Sequence, residues 1–156
     1  MLVQQRTIKN TVSFSGVGLH TGNLCTITFK PAPDNYGIRF KRIDIGGSPE
    51  IPADVDHVVD ISRGTTLGIG DIRVHTVEHV LAAVAGLQID NLIIELDSNE
   101  PPVGDGSAMP FVETLLKADF IKQDSPKDYL IIDQIIHYQI YNDLSYGLSL
   151  PFSQVS

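Results

Sequence analysis

Five histidines stand in the chain: His20, His57, His75, His79 and His137. One stretch couples two histidines tightly to a carboxylate, His75-Thr76-Val77-Glu78-His79, whose bare pattern is H-x-x-E-H. On one continuous helix His75 and His79 would share a face. A third ligand elsewhere would then complete a zinc site with Glu78 as general base, the arrangement of an inverted zinc protease. The local sequence opposes such a helix. Ile72-Arg73-Val74 reads as a short strand, and Thr76 is the best helix cap in the stretch. His75 then precedes the helix on extended backbone, while Glu78 and His79 stay together in the first turn. The helix dipole there favours a negative Glu78 and a neutral imidazole at His79, the form that binds metal. Adjacent helix positions point about 100° apart, so His79 can ligate a metal while Glu78 reaches past it toward a bound water. A plainer reading also stands: a solvated Glu78 beside a hydrogen-bonded core histidine.

Two further groups have two readings each. His20 sits in a glycine-rich loop between Gly16 and Gly22, where it would orient substrate or only hydrogen-bond within its loop. In Asp105-Gly106-Ser107 the carboxylate would hold a catalytic group, or else satisfy turn amides while Ser107 caps the next helix. His57 and His137 read as structural or exposed. The single cysteine, Cys25, rules out an internal disulfide and any multi-cysteine metal site.

These residues need elements to position them. Thr11–Phe14, Cys25–Phe29 and Gly37–Phe40 alternate or return as strands, with turn chemistry at Pro31–Asn35 and Gly46–Pro49. Val77, Val80, Leu81, Val84 and Leu87 recur at helical spacing, interleaved with alanines, and Gly86 suits the stop. Leu92-Ile93-Ile94-Glu95-Leu96 reads as a strand buried on both faces. Pro110 fits the first turn of a helix holding Phe111, Val112, Leu115 and Leu116. Asp124–Asp128 reads as a boundary or linker, and Leu130–Ile132 with Ile135-Ile136 as a new apolar β segment. The expected fold class is α+β: a two-layer sandwich of a mainly antiparallel sheet with packed helices.

The chain's 156 residues suffice for one proper core. Residues 1–126 are expected to form a first domain. Residues 127–156 are expected to begin a second, cut off because about thirty residues cannot build an independent layer of sheet and helix. The formal charge of −8 repels a phosphate backbone, so nucleic acid is not expected as a partner. No apolar run approaches the ~20 residues of a transmembrane segment, and the first residues lack a signal core. The expected location is cytoplasmic.

Several stretches together resemble one family, UDP-3-O-acyl-N-acetylglucosamine deacetylase, the zinc enzyme of lipid A biosynthesis. They are Gln5-Arg6-Thr7, Gly16-Val17-Gly18-Leu19-His20-Thr21-Gly22, Pro31-Ala32-Pro33, Thr76-Val77-Glu78-His79, Gly86-Leu87-Gln88-Ile89-Asp90-Asn91 and Asp105-Gly106-Ser107-Ala108. Each is weak alone; their order and spacing are specific, and they span residues from about Gln4 to Tyr129. The resemblance implies two similar domains with the active site between them. It implies His79 as a Zn2+ ligand, Glu78 as general base, and His20 and Asp105 as substrate-binding or site-supporting residues. It implies a UDP-linked acylated N-acetylglucosamine as substrate. The remaining zinc ligands are expected from the missing second domain, so the chain is expected to be an incomplete and inactive part of the deacetylase. Some family members carry a dehydratase domain after the deacetylase. The alternatives are a non-catalytic binding or assembly module that keeps only the fold, and the H-x-x-E-H protease.

Overall fold

The computed structural model describes residues 3–129, together with the backbone of two short strands, 136–139 and 146–149. The apolar segment expected at Leu130–Ile132 lies outside the described residues. In chain order the first strands are β1 (Gln4–Ile8), β2 (Val12–Val17), β3 (Leu24–Pro31), β4 (Ile38–Arg42) and β5 (Glu50–Pro52). A 3₁₀ turn at Val55–His57 leads into β6 (Val58–Asp60), β7 (Thr66–Ile69) and β8 (Ile72–Val74). Helix α1 (Glu78–Gly86), β9 (Leu92–Leu96), helix α2 (Met109–Leu116) and β10 (Phe120–Pro126) follow, then β11 (Ile136–Gln139) and β12 (Tyr146–Ser149).

The main sheet has five strands in the order β2-β3-β9-β4-β5. Only the β4–β9 pair is parallel; the other three are antiparallel. The fold is therefore α+β with a mixed, mainly antiparallel sheet. Alternation decides its faces. Cys25, Ile27 and Phe29 of β3, Phe40 of β4, Ile51 of β5, and Leu92, Ile94 and Leu96 of β9 are all fully buried. They meet Val80, Ala83 and Val84 of α1 and Phe111 and Leu115 of α2 in one core. Phe111 meets Phe14 of β2 edge to face, with ring centroids 5.8 Å apart, a favoured aromatic geometry.

The opposite face of this sheet is polar. Ser13 pairs with Thr28 and Ser15 with Thr26 through their hydroxyls, and Lys30 reaches Glu95 over 2.7 Å. This corrects the expectation that β9 is buried on both faces. Ile93 and Glu95 are only half-buried, because both helices cover the same side. Asp124–Pro126 is not a linker either: it belongs to β10, which pairs antiparallel with β1. The side chains of Asn91 and Gln123 supply the missing reason. Buried Asn91 donates to Gln5 and Gln123 and accepts from the Gly37 amide, so the β1–β10 pair is tied to the main sheet. Strands β6, β7 and β8 form a small antiparallel sheet of their own, and it brings residues 60–66 beside the start of α1.

Candidate functional site

Three residues join β8 to α1. The His75 amide donates to Asn99 O over 2.9 Å, and the Val77 amide to Thr65 O over 3.2 Å. Between them Thr76 lies in the left-handed region at φ +54°. The helix starts at Glu78, with Val77 at the cap position and no side-chain cap bond. Thr76 is thus not the cap that the sequence suggested. Its hydroxyl donates instead to Glu100 Oε1 over 2.7 Å, and a bond to a buried carboxylate outweighs a neutral cap bond. His75 stays outside the helix, as expected, with Nδ1 3.1 Å from Thr66 Oγ1. The single-helix geometry of the protease reading is therefore not formed.

Glu78 and His79 both lie in the first turn of α1, half-buried. Glu78 Oε2 accepts the Thr65 amide over 3.0 Å. A Cβ at Gly64 would stand 2.9 Å from Glu78 Oε1, and Gly64 has φ +151°, a backbone state reserved for glycine. Gly64 also lines a pocket of about 120 Å³ that His20, Asp60, Arg63, His75 and Thr76 share. His20 Nε2 lies 3.1 Å from Arg63 O in this pocket. The amide and hydroxyl of Ser62 hold Asp60 below the usual carboxylate range. The structure thus brings His20 and His75 to one pocket, with Glu78 against its glycine wall. His79 follows Glu78 on α1 but does not line that pocket.

Asp105 is exposed at the turn before α2. Its Oδ1 accepts both the amide and the hydroxyl of Ser107, at 2.9 and 2.7 Å, which keeps the carboxyl below its ordinary range. Ser107 Oγ in turn accepts the Met109 amide over 3.1 Å. Among the described residues no hydrogen bond links Asp105 to Glu78 or His79.

Sequence reasoning missed Glu100. Its side chain is fully buried, in the segment between β9 and α2. Oε2 accepts from the Thr21 amide and hydroxyl, both at 2.8 Å, and from the His20 amide at 3.0 Å; Oε1 accepts from Thr76. Burial alone would raise this carboxyl's pKa. The donors from Thr21, Thr76 and His20 together overcome that and lower it. The one signal available was an acid between a buried strand and two prolines, with no base beside it.

Metal chemistry sets a sharper requirement. Zinc sites draw on at least three protein ligands, and among the described residues no three His, Cys, Asp or Glu side chains converge on a possible ion.

Comparison with known proteins gives one consistent answer. The family model described as LpxC, UDP-3-O-acyl N-acetylglycosamine deacetylase, matches residues 5–155. The "Bifunctional enzyme LpxC/FabZ" of Chlorobaculum tepidum is 62% identical over 138 residues, covering 88% of this chain and 30% of that protein. The UDP-3-O-acyl-N-acetylglucosamine deacetylase of Cellvibrio japonicus is 48% identical over 129 residues, covering 83% of this chain and 43% of that protein. That of Stenotrophomonas maltophilia is 39% identical over 160 residues, covering 97% and 53%. The chain therefore spans about half the length of the deacetylases it matches, and less than a third of the bifunctional protein.

Proposed function

Because the chain belongs to the LpxC family of UDP-3-O-acyl N-acetylglycosamine deacetylases, we propose that it supplies the general-base side of a deacetylase centre. The substrate is a UDP-linked, 3-O-acylated N-acetylglucosamine of lipid A biosynthesis. The observation that carries this reading is the placement of Glu78: first turn of α1, carboxylate held by the Thr65 amide, against the wall of the pocket that contains His20.

The reaction is hydrolysis of the acetamide. Water attacks the carbonyl carbon and Glu78 takes its proton. The C–N bond then breaks, the leaving nitrogen gains a proton, and acetate and the free amine separate. The Thr65 N–H fixes one Glu78 oxygen and leaves the other for the water. His20, from its loop, orients the sugar or its acetamide, and Asp105 supports the site by ordering the turn before α2. His79 would hold Zn2+ together with ligands from outside the described residues. When bound, that ion would polarise the carbonyl and acidify the water. With one ligand assigned among the described residues, the isolated chain is expected to turn over little or nothing. A cytoplasmic location fits the chemistry of a UDP-sugar; no helix among the described residues is long and apolar enough to cross a membrane.

The domain division at residues 126 and 127 belongs to this reading, with the second domain supplying the remaining ligands. One observation favours the rival, a non-catalytic module: Met109 and Leu116 of α2 are each more than half exposed, leaving an apolar helix surface open. The test is acetate release from the UDP-linked substrate by the protein that carries this chain. Glu78→Ala should cost roughly 10²–10⁴-fold in kcat, the usual worth of a general base. His75→Ala should be mild. Equal losses from both variants, or acetate release untouched by Glu78→Ala, would sink the proposal.

A further inference from the structure

Two separate segments end on one buried side chain. The Gly18–Gly22 loop carrying His20 reaches Glu100 through the His20 amide, the Thr21 amide and the Thr21 hydroxyl. The turn that launches α1 reaches it through Thr76 Oγ1. The Asn99 segment itself accepts the His75 amide. A Cβ at Gly18 would lie 2.6 Å from Glu100 Oε2, so the loop backbone rests directly against the carboxylate. Thr76 holds a left-handed backbone that costs a β-branched residue energy unless its surroundings over-determine it. The hydrogen bond to Glu100 is such a constraint. A carboxylate at the end of one short side chain cannot shift toward either segment without stretching its bonds to the other.

We propose that Glu100 is a positioning residue: it couples the His20 loop to the turn that sets Glu78 and His79, so that the two sides of the centre hold one geometry together. The roles of His20, Glu78 and His79 rest on the deacetylase reading; the coupling does not. Glu100 touches none of the reacting atoms and acts through Thr21 and Thr76. It differs from an ordinary buried acid in having its donors on both sides of the pocket.

The experiment is native-state hydrogen exchange, with histidine ring resonances, on the 156-residue chain and two variants that each remove one hydroxyl. Thr76→Val deletes a bond on the α1 side, and Thr21→Val one on the loop side. Both keep side-chain volume and leave Glu100 with donors, so the fold is retained. Thr76→Val should speed exchange of the His20 and Thr21 amides by roughly tenfold, as loss of a charge-assisted bond implies. Thr21→Val should likewise speed exchange at His75 and Val77 and displace the ring signals of His79. The ring of His57, on the exposed 3₁₀ turn, should not respond. Effects confined to the side that carries the substitution overturn the proposal, as does a uniform rise that includes the core amide of Val84. Hydrogen exchange reads the coupling whether or not acetate is released, so failure of the coupling and failure of the deacetylase assignment are separate results.

Discussion

Gly18 packs so closely beneath Glu100 that a Cβ on it would stand 2.6 Å from Oε2, and 2.7 Å from Thr21 Oγ1. The glycine is there for space. Its loop approaches a charged group within a distance no side chain can share, and that approach lets the His20 and Thr21 amides reach the carboxylate.

Gly18→Ala should therefore destabilise the chain by about 1–3 kcal/mol, the usual cost of forcing a methyl group into filled space. Gly46→Ala is the control, since nothing lies within 4 Å of a Cβ there, and it should fall within about 0.5 kcal/mol of the parent. Urea unfolding midpoints at constant m-value measure both.

Glu100 also makes stability depend on acid. Its folded-state pKa is depressed from the ordinary 4.5 because the Thr21, Thr76 and His20 donors outweigh the opposing effect of burial. For a depressed carboxyl the stabilisation is complete above the unfolded value and is lost as pH falls through the lower folded value. Asp44 and Glu50 are lowered as well and share this acid window. The readout is accordingly the difference in unfolding free energy between parent and Glu100→Gln. It should be constant from neutral pH down to about the ordinary carboxylate range and shrink below it.

Cys25 should be inert while the chain is folded. The thiol is fully buried on β3. Burial first, and then the charge of Asp97, push its pKa up to about 12. At pH 8 only ~10⁻⁴ of it would be thiolate, the reactive form. Iodoacetamide should label it at the unfolding-limited rate in buffer and rapidly in denaturant. Fast labelling of the native chain would contradict the burial.

Zinc binding should expose the unequal standing of the two neighbouring histidines. With one ligand assigned among the described residues, the 156-residue chain should bind Zn2+ weakly and lose it to dialysis. Calorimetric titration should show His79→Ala removing that weak binding and His75→Ala sparing it. Tight stoichiometric zinc would mean that the chain completes its own ligand set, contrary to the proposed division of the centre.

Much of this protein was readable in order along the chain. Alternation in Cys25–Phe29, the helical spacing from Val77 to Leu87, and Pro110 ahead of Phe111 each specify an element, because backbone period and side-chain direction are local properties. The pairing of Glu78 with His79 in a first helical turn, and the exclusion of His75 from that helix, were legible for the same reason. The polar outer face of β9 was not: Leu92–Leu96 looks almost continuously apolar, and only the placement of both helices on one side leaves Ile93 and Glu95 half-open. Asp124–Pro126 resembled a linker because its partner β1 lies more than a hundred residues earlier in the chain. Thr76 looked like a cap until a carboxylate 24 residues away claimed its hydroxyl. Glu100 carried only a faint local mark, an acid set between a buried strand and two prolines. A buried charge is stabilised by donors that converge on it from distant segments, and such convergence exists only once the chain has folded.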